Sequence, residues 1–186
     1  MKPQSTAAKS TAKAQTRDMQ KMAIDELILE DHKPLKQLIK ILKDSEKDLN
    51  ERKAAYEEFA VLLVSHAKPE EESLYVYMKQ NEELREEAYE GDVEHGLADQ
   101  LVEEIKRTTE DDLWSARVKV LAELVEHHIE EEEEELLPDF KKNSELEERI
   151  RLGNEFLALK TKMLEQGGED SPSEKDAEKE NDIVRH

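Results

Sequence analysis

Two stretches of the chain repeat one chemically useful pattern: His66-Ala67-Lys68-Pro69-Glu70 and His128-Ile129-Glu130-Glu131-Glu132. Aligned on their histidines, the copies agree at positions +4, +5 and +6, all Glu, and at +8, Leu, and each runs into an end-of-helix signature. On a helix, residues four apart are neighbours, ~5–6 Å apart at Cβ, so each imidazole and its carboxylate converge on one point. Convergent nitrogen and oxygen donors suit iron, manganese or zinc. A single His-x-x-x-Glu means little in a Glu-rich chain; two matched copies call for an explanation.

The elements that must position these residues are helices. Between the chain ends there is no sustained alternation of the strand type, Gly and Pro are five each, and aromatics are 4%, so the chain reads as all-α. The first helix is expected from about Ile24 to Lys47, with the stripe Ile24, Ile28, His32, Leu35, Ile39, Leu42, bent or restarted at Pro34. The second is expected over about Asn50–Lys79 (Tyr56, Phe59, Leu63, His66, Glu70, Leu74, Tyr77), kinked at Pro69. The third covers about Glu82–Thr108 (Leu84, Ala88, Gly91, His95, Ala98, Val102, Ile105). The fourth covers about Asp112–Phe140 (Trp114, Val118, Leu121, Val125, His128, Glu132, Leu136), ended or kinked by Pro138. A fifth begins at a capping box, Ser144-Glu145-Leu146-Glu147, and continues to about Gln166.

Each of the first four helices carries one histidine in its apolar stripe. A lone inward histidine is usually a satisfied core residue; four in four helices are not well explained by chance. His32 to His95 is 63 residues and His66 to His128 is 62, so the helices pair as two copies of one hairpin. Measured from turns near Asp48–Asn50 and Thr109–Asp111, the histidines lie about 17 and 17, then about 15 and 18 residues away. At 1.5 Å rise per residue that is roughly 25 Å in each case. The four imidazoles and two carboxylates therefore fall in one layer of an up-down-up-down four-helix bundle. Buried ionised carboxylates cost several kcal/mol each unless paired or metal-bound. Six donors are too many for one tetrahedral zinc but fit two ions bridged by Glu70 and Glu132, as in the carboxylate sites of other bundles.

Asp31-His32, His66-x-x-x-Glu70, Glu94-His95 and His128-x-x-x-Glu132 with Leu136-Leu137-Pro138, in that order, resemble the hemerythrin-like (HHE cation-binding) family. The resemblance covers about residues 24–140. It implies a non-haem di-iron centre with terminal histidines, two bridging carboxylates, an oxo or hydroxo bridge, and an open position for O₂ or NO. The animal oxygen carriers of that family have a fifth histidine four residues after the helix-three one; Asp99 stands there instead. Asp99 could thus ligate directly, coordinate through water or take no part, and the missing imidazole favours redox turnover over reversible oxygen carriage. His127, turned about 100° from His128 along a helix, reads as an outer or surface histidine. Glu71, beside Glu70, is a minor candidate ligand.

Composition narrows the functions further. The formal net charge is −20 over 186 residues, which argues against nucleic acids and anionic membrane surfaces as partners. There is no Cys, which excludes disulfides, thiolate zinc sites and thiolate-held iron–sulfur clusters. No window approaches the ~20 apolar residues of a membrane span, and nothing resembles a signal peptide, so the default compartment is the cytoplasm. The domain reading is a disordered tail over 1–21, the hemerythrin-like bundle over 22–142, an additional C-terminal helix over 143–166 and a disordered acidic tail over 167–186. His186 reads as a terminal polar residue. The broad apolar set of helix five (Leu146, Ile150, Phe156, Leu157, Leu159, Met163, Leu164) would cap the bundle or support a homodimer of an otherwise monomeric protein.

Three functions follow. The first is a non-enzymatic di-iron protein that binds or senses O₂, NO or iron, with zinc or manganese as alternative metals. The second is a di-iron oxidase or a peroxide- or nitrosative-stress repair enzyme. The third is a helical interaction module holding zinc or no metal.

Overall fold

The computed structural model describes residues 21–167. The expected tails, with His186, lie outside them apart from Lys21 and Gly167, and so does the side chain of Leu164. Among the described residues there is no strand. The helices are α1 (Ile24–Lys43), α2 (Leu49–Glu70), α3 (Val76–Met78), α4 (Arg85–Lys106), α5 (Asp111–Glu131), α6 (Leu137–Lys142) and α7 (Leu146–Gly167). Two five-residue π-turns, Glu71–Tyr75 and Glu132–Leu136, join α2 to α3 and α5 to α6. Each joined pair is one long rod, so the architecture is four up-and-down rods plus the C-terminal helix.

The predicted stripes are the buried ones: every apolar and histidine position in them is buried except Tyr77, which is partly exposed. They form two apolar clusters. One, between the interhelical turns and the histidines, centres on Leu35, Phe59, Val102, Trp114, Val118 and Leu121. The other, beyond the histidines, centres on Ile24, Ile28, Leu74, Tyr75, Phe140 and Phe156. The layer of imidazoles and carboxylates separates them. Helix ends are tied by local chemistry: Asp48 and Glu110 accept the first amides of α2 and α5, and buried Arg52 donates to the Leu42 carbonyl at 2.9 Å, near the C-terminus of α1.

Several boundaries differ from the sequence reading. Helix α1 ends at Lys43 rather than Lys47, and it runs unbroken through Pro34 because buried Ile28, His32, Leu35 and Ile39 anchor it on both sides. Proline fails to end the fourth rod as well. Pro138 lies two residues past the π-turn, and the rod runs on through it to Lys142. Ser144 does not cap α7; its hydroxyl turns back to the Phe140 carbonyl at 2.5 Å. On α7 the buried residues are Arg149, Leu152, Gly153 and Phe156, whereas Leu146 is exposed. This face packs on α1 and α2, and the buried Arg149 guanidinium grips Asp25 at 2.9 and 3.0 Å. No described helix is long and apolar enough to cross a membrane.

Candidate metal centre

His32 from α1, His66 and Glu70 from α2, His95 from α4, His128 from α5 and Glu132 at the start of the second π-turn are all buried and meet in one layer. Successive imidazole centroids, His32–His66, His66–His95 and His95–His128, are 5.0, 6.4 and 4.6 Å apart. The i,i+4 geometry is nearly identical in the two copies: Nε2 to carboxylate oxygen is 3.4 Å for His66–Glu70 and 3.5 Å for His128–Glu132. Both π-turns begin at or directly after the glutamate, and such turns recur at functional sites.

The six residues divide into two groups, His32, His66 and Glu132, and Glu70, His95 and His128, with the donor atoms of each group within 4.8 Å of one another. Each group pairs the two histidines of one hairpin with the carboxylate of the other. Glu132 Oε2 lies 3.1 Å from His32 Nε2 as well as 3.5 Å from His128 Nε2, so it touches both groups.

Every imidazole turns Nε2 inward and Nδ1 outward toward a carboxylate. His32 Nδ1 lies 3.0 Å from Glu133 and His128 Nδ1 lies 2.6 Å from Glu94. His95 Nδ1 is 3.2 Å from Glu71 but out of line for a hydrogen bond, and His66 Nδ1 is 3.8 Å from Asp31. A carboxylate at Nδ1 fixes the ring and turns Nε2 toward the interior, the arrangement common behind metal-bound histidine. Lysines grip three of these acids in turn: Lys36 on Glu133 at 2.5 Å, Lys68 on Glu71 at 3.0 Å, and Lys160 of α7 on Asp31.

The electrostatics are lopsided. Burial pushes the His66 imidazole down to about 4, against the pull of Asp31, so it is a neutral donor at pH 7. Burial and the neighbouring Glu132 charge drive the Glu70 carboxyl well above its usual range. Burial would raise Glu132 too, but His128 and His32 outweigh it and hold that carboxyl well below the usual range. The same Glu132 charge, with Glu94, raises His128 in spite of its burial.

The three secondary candidates lie elsewhere. Asp99 is not in the layer; it is partly exposed and pairs with Lys68 at 2.7 Å, because position +4 from His95 carries it toward the α2 side of the bundle surface. Glu71 faces the back of His95 rather than the interior. His127 is exposed and 3.2 Å from Glu131; with Glu94 and Glu131 it makes a partly exposed group of possible donors. In the sequence Asp31 and Glu94 stand only as parts of a motif, and Glu133 only as one Glu of the repeat. Sequence reasoning missed Tyr75, whose buried hydroxyl donates to Glu132 Oε1 at 2.9 Å. A signal for the acids was present: each of Asp31, Glu71, Glu94 and Glu133 directly adjoins a layer residue in sequence.

A cation fits this donor set. Both Glu70 oxygens and both His66 nitrogens are buried without a hydrogen-bond partner. Unpaired buried groups of this kind each cost on the order of 1–3 kcal/mol and are rare without a reason. Bound cations would satisfy the inward-facing atoms together. A small cavity of about 50 Å³, lined by Glu87, Glu90, Glu94 and Glu131, reaches His128 and Glu132 from outside. No curated protein and no solved structure matches the chain. The model of the hemerythrin HHE cation binding domain matches residues 23–140, more than half of the 186. The chain belongs to the hemerythrin HHE cation-binding family.

Proposed function

We propose that this protein binds two iron ions in the bundle core, one in each His–His–Glu group, and uses them to bind or sense a small diatomic ligand such as O₂ or NO. The observation that carries this reading is the Glu70 carboxylate, fully buried beside His66 with neither oxygen satisfied. Neutral imidazoles and carboxylates suit iron over softer, thiolate-seeking metals. Such an iron pair would supply one-electron redox chemistry and a free coordination position.

The protein's own contribution is positional. Glu133 and Glu94 orient two imidazoles through Nδ1, Glu132 joins the two groups, and the apolar clusters above and below limit water. The acid-lined cavity at His128 favours cation approach through its negative field. A second reading, a redox enzyme acting on peroxide or nitrogen oxides, draws support from Asp99. With that side chain held by Lys68, six residues serve two ions, which leaves coordination positions for turnover.

The test is elemental analysis of protein expressed with iron, with optical spectra before and after reduction and re-oxygenation. The expected content is about two iron per chain with near-ultraviolet charge-transfer bands. Iron-supplied protein that carries none overturns the reading. A stable, reversible O₂ adduct of the reduced form favours the binder, and rapid consumption of O₂ or peroxide favours the enzyme.

A further inference from the structure

Among the positions where the two copies of the repeat differ, one adds a polar group beside the layer. Nine residues after His66 stands Tyr75; nine after His128 stands Leu137. Both side chains are buried, but only one carries a hydrogen-bond donor. The Tyr75 ring stacks on His95, with centroids 5.4 Å apart and planes 26° from parallel, and its hydroxyl reaches Glu132 Oε1 at 2.9 Å. Room for it comes from Gly91 of α4: a Cβ there would lie 2.4 Å from the phenol oxygen. Three elements thus cooperate to aim one hydroxyl at one oxygen of Glu132.

A buried tyrosine needs an acceptor, and a backbone carbonyl would serve for packing alone. Here the acceptor is a carboxylate that joins both donor groups. With Oε1 held by Tyr75, Oε2 is the oxygen left facing His32 and His128. Glu70, with no counterpart of Tyr75, keeps both oxygens free. We propose that Tyr75 is a positioning residue that reserves one oxygen of Glu132, so that the two glutamates bind the ion pair unequally. Glu70 spans the ions with both oxygens, and Glu132 binds through Oε2 alone. This rests on the metal reading above.

The experiment is infrared difference spectroscopy, iron-loaded minus metal-free, on the full chain and its Tyr75→Phe variant. Ferrous ammonium sulfate is added without oxygen, and iron is counted in each sample. A carboxylate bound through one oxygen separates its two stretching bands widely; one that bridges separates them narrowly. The wild type is expected to show one pattern of each kind. Tyr75→Phe is expected to keep its iron and lose the wide separation. Wild-type spectra with a single pattern overturn the proposal without recourse to any variant, and so does a variant spectrum identical to wild type at equal iron. Wild-type protein that takes up no ferrous iron fails at the earlier step and removes the metal reading together with this one.

Discussion

The two His-x-x-x-Glu turns share their spacing, their burial and their π-turn, yet their carboxylates sit in opposite states. Glu132 is held by His32 at 3.1 Å and by Tyr75 at 2.9 Å, and its charge is stabilised. Glu70 has neither partner; His95, which the repeat would offer it, points Nε2 at His128 instead, 2.9 Å away. The difference teaches that two copies of one local motif can be given unequal carboxylates by the residues packed around them. One half satisfies itself internally, and the other is left with a carboxyl whose ionisation burial and Glu132 disfavour, its acceptors bare.

The largest expected effect separates the two glutamates directly. In the metal-free protein, Glu132→Ala strands two imidazoles and a phenol and is expected to cost ~3–5 kcal/mol, whereas Glu70→Ala is expected to cost much less. Both should abolish iron uptake. Chemical denaturation of the two variants checks this, and equal losses of stability would dissolve the comparison.

The pH dependence of metal-free stability is next. His66 is lowered from 6.5 to about 4 on folding, so between those values the unfolded chain binds more protons. Stability is complete above pH 6.5 and is lost as pH falls toward 4, by about 3 kcal/mol from this residue. Glu70 has the opposite sign. Its raised folded pKa means that the native state holds the extra proton above pH 4.5, so its share of stability falls as pH rises. Metal-free Glu70→Gln should therefore melt above wild type at pH 7 and lose stability more steeply on acidification. Calorimetry across pH 4–7 measures both; a Glu70→Gln variant that melts below wild type at pH 7 contradicts the assignment.

The smallest effects concern the outer acids. Glu133→Gln, which loosens a 3.0 Å contact to His32, should weaken iron affinity about 10–100-fold. Asp31→Asn, at 3.8 Å from His66, should weaken it less. Competition with a chelator ranks them, and a reversed order would move the tighter support to His66.

Much of this site was legible because helical periodicity is local. A residue's type and its place in a 3.6-residue repeat decide whether it faces the interior, so His32, His66, His95, His128, Glu70 and Glu132 could be placed in one layer from spacing alone. What spacing misjudged was also local: Pro34 and Pro138 looked disruptive because proline weakens a helix in isolation, and packing on either side outweighs that. Asp99 drew attention for its position relative to a family pattern, whereas its side chain answers to Lys68.

The sequence by itself determined that the chain is helical, that it pairs into two similar hairpins, and that six donors share a depth in the bundle. Only the tertiary structure decided which carboxylate backs which imidazole and why two equal motifs became unequal. Those contacts join residues as far apart as His32 and Glu133, separated by 101 positions. No local rule reaches that distance, because the partner is chosen by how packed rods turn about their axes.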